Sequence, residues 1–576
     1  MKKFFLAVFL PIVFCFGTGV AAANILSDKD AKLYEEIFSL QDAEKFWKAD
    51  IKIKKLDDKI LLPYVYAERY LHPRYYSKVA ELNDWLKKYR YNFEALNIYN
   101  LSVKKKGRPP IRKPKKYDSM PRGGSCHVTD MRDPVESLNN YNVRVKKGDV
   151  KKAKTLMRKI YRALKNGKTL TAKKYIESKE VKDFFADYDY EMARNALAFA
   201  YYIDGRDDLA KENAEKVINK YGDRIPLSYW VYGLACYRSG EYEEALNIFK
   251  KLSSVRTRLK GMISAGAFFA SRSALKIGKY DEVNSLLKIA AEYPFTFYGV
   301  IAKRALGHIR NIDFYDQSSI NQNDDSSEIK KSTAELREIL ALLELKKKES
   351  AYRQFKHLYL RSNIEKRQML VGFARKHDLM DMFDRLTLER GRLSTDDDDL
   401  TYYPVPQWKP HNGWQVDKAL IFAFMRQESC FNAKAKSGAG ARGLMQIMPK
   451  TAALLAKELK IKNWNRSRLF NPEDNITLGQ RYIEKLLNLP SIKGNVFFTA
   501  VAYNAGPGNL VRWRKRDNYR SDPLLFIESI PSSETRDFVK KVTSNFWIYR
   551  DLLNKSNASL DAVVAGDWPQ YTGLDK

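Results

Sequence analysis

Little in this 576-residue chain can cross-link it or hold a metal, since it has only four cysteines and six histidines. Cys15 falls in an N-terminal apolar run, and Cys126, Cys236 and Cys430 stand too far apart for a disulfide framework. The histidines are scattered and none sits in an H-E-x-x-H pattern, which argues against a metal-dependent hydrolase; no metal and no cofactor are expected. Negative charge is also short: 69 acidic residues face 102 Lys and Arg, a formal net charge of +33. That balance implies a polyanionic neighbour, which could be nucleic acid, anionic lipid or an acidic polymer. Long apolar runs are missing too, because none after Phe4–Phe16 could span a bilayer.

That first run follows Met1, Lys2 and Lys3 and gives way to small residues from Gly17 to Ala23, the pattern of a secretory signal peptide. Phe14 is too large to precede a lipidated cysteine, so cleavage is expected near Ala22 or Ala23. Export removes most of the case for a nucleic-acid partner. At this length two or more domains are expected, and a hydrophobic content of 44% supports folded ones.

From Asp28 to Val103 the pattern is helical and rich in aromatics such as Tyr34, Phe38, Trp85 and Tyr89. Lys104 to Lys116 is basic and broken by Pro109, Pro110 and Pro114, and reads as an exposed loop. Between Tyr188 and Gly307, Gly205, Gly240 and Gly278 recur 35 and 38 residues apart. Each is followed five residues on by a small or branched apolar residue and joins two amphipathic helices. This is close to the tetratricopeptide period, and such pairs bury their apolar faces only against their neighbours, as in a helical solenoid. Asp316 to Ser327 is a polar break, Thr333 to Leu388 a further helical block, and Asp396 to Asp399 with Pro404 and Pro406 a linker. The expected domains are a signal peptide at 1–23, a helical superhelical region at 24–315, a helical linker domain at 328–395 and a C-terminal domain at 401–560.

Chemistry concentrates in the last of these. On a helix from Val416 to Ser429, Glu428 lies three, four and seven residues beyond Met425, Phe424 and Ile421, which puts a carboxyl group on an apolar face. A surface glutamate belongs on the other face, whereas burial raises a carboxyl pKa and suits an acid catalyst. Gly438, Gly440 and Gly443 permit a tight turn after the helix. Leu444 to Met448 is expected to be extended, with Gln446 and Met448 on one side, either lining a sugar site or plugging the core. Asn471-Pro472-Glu473-Asp474 caps a helix start. Tyr503 should close a buried helix stopped by Asn504 to Gly508, with its hydroxyl within reach of a cleft. Glu534 either lines the same cleft or simply favours a helix N-terminus.

Together, Arg426-Gln427-Glu428-Ser429, Gly438-Ala439-Gly440-Ala441, Gly443-Leu444-Met445-Gln446, Ala502-Tyr503-Asn504-Ala505-Gly506-Pro507-Gly508 and Glu534-Thr535-Arg536 resemble the soluble lytic murein transglycosylases. The close resemblance covers Tyr402 to Leu553, with Cys430 a departure from the family pattern. It implies a mostly α fold, with an N-terminal helical solenoid closed into a ring or horseshoe, followed by a lysozyme-like α+β catalytic domain. It also implies periplasmic cleavage of the β-1,4 bond between N-acetylmuramic acid and N-acetylglucosamine in peptidoglycan strands, leaving 1,6-anhydromuramic ends. By matching position Glu428 is the acid and base, and Ser437, Gln446, Met448, Tyr503 and Glu534 line the site. Envelope proteins are further candidate partners through the helical region. Two other readings stay open: a muramidase of the same fold that uses water, with Glu473, Asp474 or Glu534 as second carboxylate, and an inactive wall-binding scaffold.

Overall fold

The computed structural model describes residues 25–115, 133–146, 149–257, 259–308, 327–363, scattered positions between 366 and 382, 403–516 and 518–573. The expected signal peptide at 1–23, the polar break after Asp316 and the linker Asp396 to Asp399 lie outside these residues. Helices dominate throughout, and the β component is confined among the described residues to isolated antiparallel bridges. No described helix is long and apolar enough to cross a membrane.

The chain divides into two compact units, each assembled from separated segments. The first combines five helices between Asp28 and Lys104 with Ser327–Glu344 and Lys348–Arg361. Aromatic side chains both pack and pair here: the hydroxyls of Tyr64 and Tyr91 donate to the two oxygens of buried Glu338, at 2.8 and 2.9 Å. Burial pushes the Glu338 carboxyl up to about 7, against the pull of those two hydroxyls. The basic loop after Lys104 is non-helical, as the prolines require. It lies along the helix Val79–Tyr89, where Asn83 Nδ2 donates to the Arg108 carbonyl and Lys105 covers the Tyr76 ring at 4.0 Å.

The second unit holds the repeats and the C-terminal domain. Its helices Asp187–Ile203, Asp207–Tyr221, Leu227–Ser239, Tyr242–Ser253, Lys260–Lys276 and Tyr280–Ala291 each pack on the next in sequence. Gly205, Gly240 and Gly278 turn the chain between the members of each pair at φ of +76°, +88° and +75°, a conformation that other residues adopt only with strain. Trp230, Phe249, Phe269 and Tyr298 interlock edge to face inside the stack, with Trp230 and Phe269 centroids 5.3 Å apart.

The repeats do not end in a free face. Phe297, at the start of the helix Phe297–Ala305, stacks on Trp547 of the helix Ser533–Leu552 at 5.7 Å, so repeats and C-terminal domain share one hydrophobic core. Polar groups lock the same seam. Tyr298 Oη donates to Glu528 Oε1 at 2.5 Å, and Lys540 Nζ donates to the same oxygen at 3.0 Å. Arg272 pairs with Asp522 at 2.6 Å, and Arg238 donates to the Asn518 carbonyl at 3.2 Å.

Candidate active site

The helix Lys418–Ser429 is fixed at its start by Asp417, whose side chain accepts from the Ala419 amide and pairs with Arg550. Every residue from Ala419 to Arg426 is buried, so the helix runs through the core and delivers Glu428 at its last turn. Cys430 and Phe431 then adopt left-handed conformations, φ +51° and +59°, and reverse the chain sharply. Cys430 is disulfide-bonded, a pairing that the wide spacing of the cysteines gave no sign of, whereas Cys236 is a buried free thiol.

The reversal brings back the glycine-rich segment. Ser437 closes its first turn, its Oγ accepting from the Ala441 amide at 3.0 Å and its carbonyl from the Gly440 amide at 3.0 Å. Arg442 and Ile447 exchange two backbone hydrogen bonds of 3.1 Å, so 443–446 is a tight turn and not the extended run expected from the sequence. Gln446 sits there at φ +44°, and its side-chain amide donates to the Gly443 carbonyl at 2.8 Å. The physical reason is Gly443 itself: at φ +76° it permits the reversal, and a Cβ on it would lie 2.0 Å from the Leu469 carbonyl oxygen. Met448, beyond the turn, is 43% exposed and caps the helix Pro449–Glu458.

Three side chains brace this turn, one of them from the residue next to Glu428. Ser429 Oγ donates to the Leu444 carbonyl at 2.7 Å. Asn475 Oδ1 accepts from the Met445 amide at 2.8 Å, and its Nδ2 donates to the carbonyls of Arg442 and Leu469. Tyr503, near the end of the helix Val496–Ala505, donates its hydroxyl to the Met445 carbonyl at 2.6 Å. Its ring packs between Phe424, 4.5 Å between centroids, and Phe538. The hydroxyl is therefore a brace for the turn, although its oxygen can still accept a hydrogen bond from a ligand.

Enclosure by this apolar wall pushes the Glu428 carboxyl up to about 8, with the negative charge of Glu534 adding to the effect. Burial likewise raises the Tyr503 phenol well above its ordinary value, with the Glu428 charge second. Glu428 is thus a neutral acid at pH 7, retaining partial exposure to solvent. Glu534 is exposed in the first turn of Ser533–Leu552, a helix capped by Ser532 and tied back by Thr535 Oγ1 to Asn504 Oδ1 at 2.6 Å. Glu473 is exposed, and Asp474 is engaged: burial acts to raise its pKa, but Arg468 at 2.7 Å and His411 at 2.9 Å hold it below the usual carboxylate value.

Glu428 is coupled by charge to both Glu534 and Tyr503, Gln446 lies in the turn that Tyr503 braces, and Ser437 and Met448 mark the two ends of the turn segment. Sequence reading missed Asn475, which holds three backbone groups at once. Its signal was only an asparagine on the buried side of an amphipathic helix.

Residues 408–526, which hold Glu428, the glycine-rich turn and Tyr503, match the family model of the Transglycosylase SLT domain. The chain carries that domain. Over 156 residues it is 37% identical to the soluble lytic murein transglycosylase of Escherichia coli strain K12, a match covering 27% of this chain and 24% of that one. Over 157 residues it is 33% identical to the membrane-bound lytic murein transglycosylase C of Sodalis glossinidius, covering 24% and 43%. The chain thus spans about a quarter of the length of the first of these relatives. Among solved structures it is similar to an inactive mutant of the lytic transglycosylase Slt from Pseudomonas aeruginosa, at a TM-score of 0.48 and 17% identity, covering 91% and 97% of the two chains. It is also similar to the 70 kDa soluble lytic transglycosylase of Escherichia coli, at 0.39 and 18%, covering 94% and 99%.

Proposed function

We propose that this protein is a peptidoglycan lytic transglycosylase of the periplasm, exported by its N-terminal segment. The observation that carries the reading is Glu428, a carboxyl group held neutral near pH 7 at the end of a buried helix within a transglycosylase domain. Protonated Glu428 donates its proton to the oxygen linking C1 of N-acetylmuramic acid to N-acetylglucosamine. That C1–O bond breaks and the N-acetylglucosamine leaves as an alcohol, while the acetamido oxygen of the muramic sugar stabilises C1. The Glu428 carboxylate then takes the proton from the muramic 6-hydroxyl as that oxygen bonds to C1. No water enters, and the acid is regenerated.

An internal nucleophile is favoured because it is already held beside its target. Ser437, Gln446, Met448, Tyr503 and Glu534 line the site in this reading. The Tyr503 oxygen, whose proton is committed to Met445, accepts from an acetamido N–H. A hydrolytic muramidase needs a second carboxylate to activate water; Asp474 is committed to Arg468 and His411, which leaves Glu473 and Glu534 as its candidates. Digestion of purified peptidoglycan, followed by mass spectrometry of the muropeptides, separates the two. The lyase gives products one water lighter than hydrolytic ones, and hydrated reducing ends refute it. An unsubstituted chain that leaves peptidoglycan uncut points to the wall-binding scaffold.

A further inference from the structure

The twelve residues from Lys104 to Lys115, on the first compact unit, carry seven Lys and Arg and no acid. The chemistry at Glu428 makes no use of them. None of the seven pairs with a carboxylate among the described residues, and all but Lys105 are exposed. Acids on the neighbouring elements are already engaged. Asp84 pairs with Lys88 at 2.8 Å, Glu44 with Arg74 at 3.0 Å and Asp50 with Arg69 at 2.5 Å, while Glu81 accepts from the Tyr75 hydroxyl and the Lys78 amide.

Repulsion among seven like charges would spread a free loop, yet this one is pinned to the fold. The Gly107 amide donates to the Ser102 carbonyl at 2.9 Å, and a Cβ on Gly107 would lie 2.6 Å from Val79 Cγ1, so the loop leaves its helix pressed against the next one. Ser102 Oγ donates to Asn83 Oδ1 at 2.8 Å, and Asn83 Nδ2 holds the Arg108 carbonyl. Ile111 packs on the core of Leu82, Trp85 and Ile98. Pro109, Pro110 and Pro114 keep the segment non-helical, so its cations are strung along the surface rather than gathered round one point.

Apolar surface adjoins this charge. Tyr76, whose ring Lys105 covers, is 83% exposed, and Val103 at the root of the loop is 49% exposed. The turn bearing Tyr76 meets the helix Phe46–Ile53 through Phe46 and Tyr75, at 5.0 Å between centroids, and the next residue of that helix, Trp47, is 65% exposed.

We propose that the loop Lys104–Lys115, with Tyr76 and Trp47, is a docking surface for a membrane rich in anionic phospholipid. The cations reach the headgroup phosphates, and the rings settle at headgroup level, where Trp and Tyr are favoured because each has an apolar body and a polar tip. A plane of phosphates suits cations strung along a loop, as a single bound anion would not. The proposal goes beyond the transglycosylase reading and does not depend on it.

The test measures sedimentation of the full chain with vesicles of phosphatidylcholine alone and with about one-third phosphatidylglycerol, where binding should be about tenfold stronger. The apolar run Phe4–Phe16 is common to every protein compared, so differences among them read the substituted residues. Changing Lys104→Gln, Lys106→Gln, Arg108→Gln, Arg112→Gln, Lys113→Gln and Lys115→Gln together should abolish the preference for anionic vesicles. A control with six exposed Lys and Arg of the helix Val150–Lys165 changed to Gln loses the same charge and should keep it. Tyr76→Ser should weaken binding about threefold. Equal binding to both vesicles overturns the proposal, as does an equal loss in the loop and control variants, which marks a diffuse attraction to the whole basic chain. An unchanged affinity in Tyr76→Ser overturns the lipid surface in favour of a contact made by charge alone. If the loop variant keeps its hold on anionic vesicles and loses it on purified peptidoglycan, the loop is a polymer site and the proposal fails. A chain that prefers anionic vesicles yet leaves the wall uncut refutes the transglycosylase reading and keeps the docking surface.

Discussion

Glu428→Gln should stabilise the protein, by an amount that grows with pH. In the folded chain the carboxyl is raised from 4.5 to about 8, so the unfolded chain releases its proton first as the pH rises. Stability is fully present below pH 4.5 and falls as the pH climbs to about 8, after which both states are ionised and the cost is constant. Each pH unit between these two values costs about 1.4 kcal/mol, which makes the upper bound about 5 kcal/mol above pH 8 and about 3 kcal/mol at pH 7. Partial solvent exposure of Glu428 reduces this to about 1–2 kcal/mol at pH 7. Glutamine cannot ionise and escapes the penalty. Thermal unfolding of both proteins at pH 5, 7 and 9 should give a midpoint difference near zero at the first and several degrees at the other two, on the order of 2–4 °C per kcal/mol for a domain of this size. A difference equal at all three pH values refutes burial as the origin of the raised pKa. The same logic fixes the catalytic profile: activity should fall as the pH rises through about 8, and Glu534→Gln, by removing the lesser cause, should move that fall to lower pH. A move to higher pH refutes the coupling.

Asn475→Ala strands an amide and two carbonyls in the turn and should cost about 2–4 kcal/mol, read as a lower unfolding midpoint together with reduced cleavage. Gly443→Ala should be at least as damaging, because it combines a left-handed backbone with a Cβ 2.0 Å from the Leu469 carbonyl oxygen. Glu528→Ala leaves Lys540 buried without its carboxylate and should cost about 3–5 kcal/mol by denaturant unfolding.

Local pattern carries the helical fold and the acid. Period and glycine spacing locate the repeat turns because a left-handed corner admits few other residues, and Glu428 stands out because a charge is misplaced on an apolar face. The turn holding Gln446 looks extended in sequence, since its geometry depends on Asn475 about thirty residues away and no local periodicity encodes that link. The seam between repeats and C-terminal domain is equally hidden. Glu528, Lys540 and Tyr298 look like ordinary surface and packing residues until the fold brings them together, at separations of up to 230 residues. The paired state of Cys430 is illegible for the same reason.

That seam bears on how far the transglycosylase segment can be treated as a portable cassette. Cutting the chain before residue 403 would strip Glu528 of the Tyr298 hydroxyl, part Asp522 from Arg272 and unstack Trp547 from Phe297. The excised piece would expose an apolar, half-charged scar where it now meets the repeats. Fusions, truncations and domain swaps in this protein should therefore carry the helices from Asp187 onward along with the acid they support.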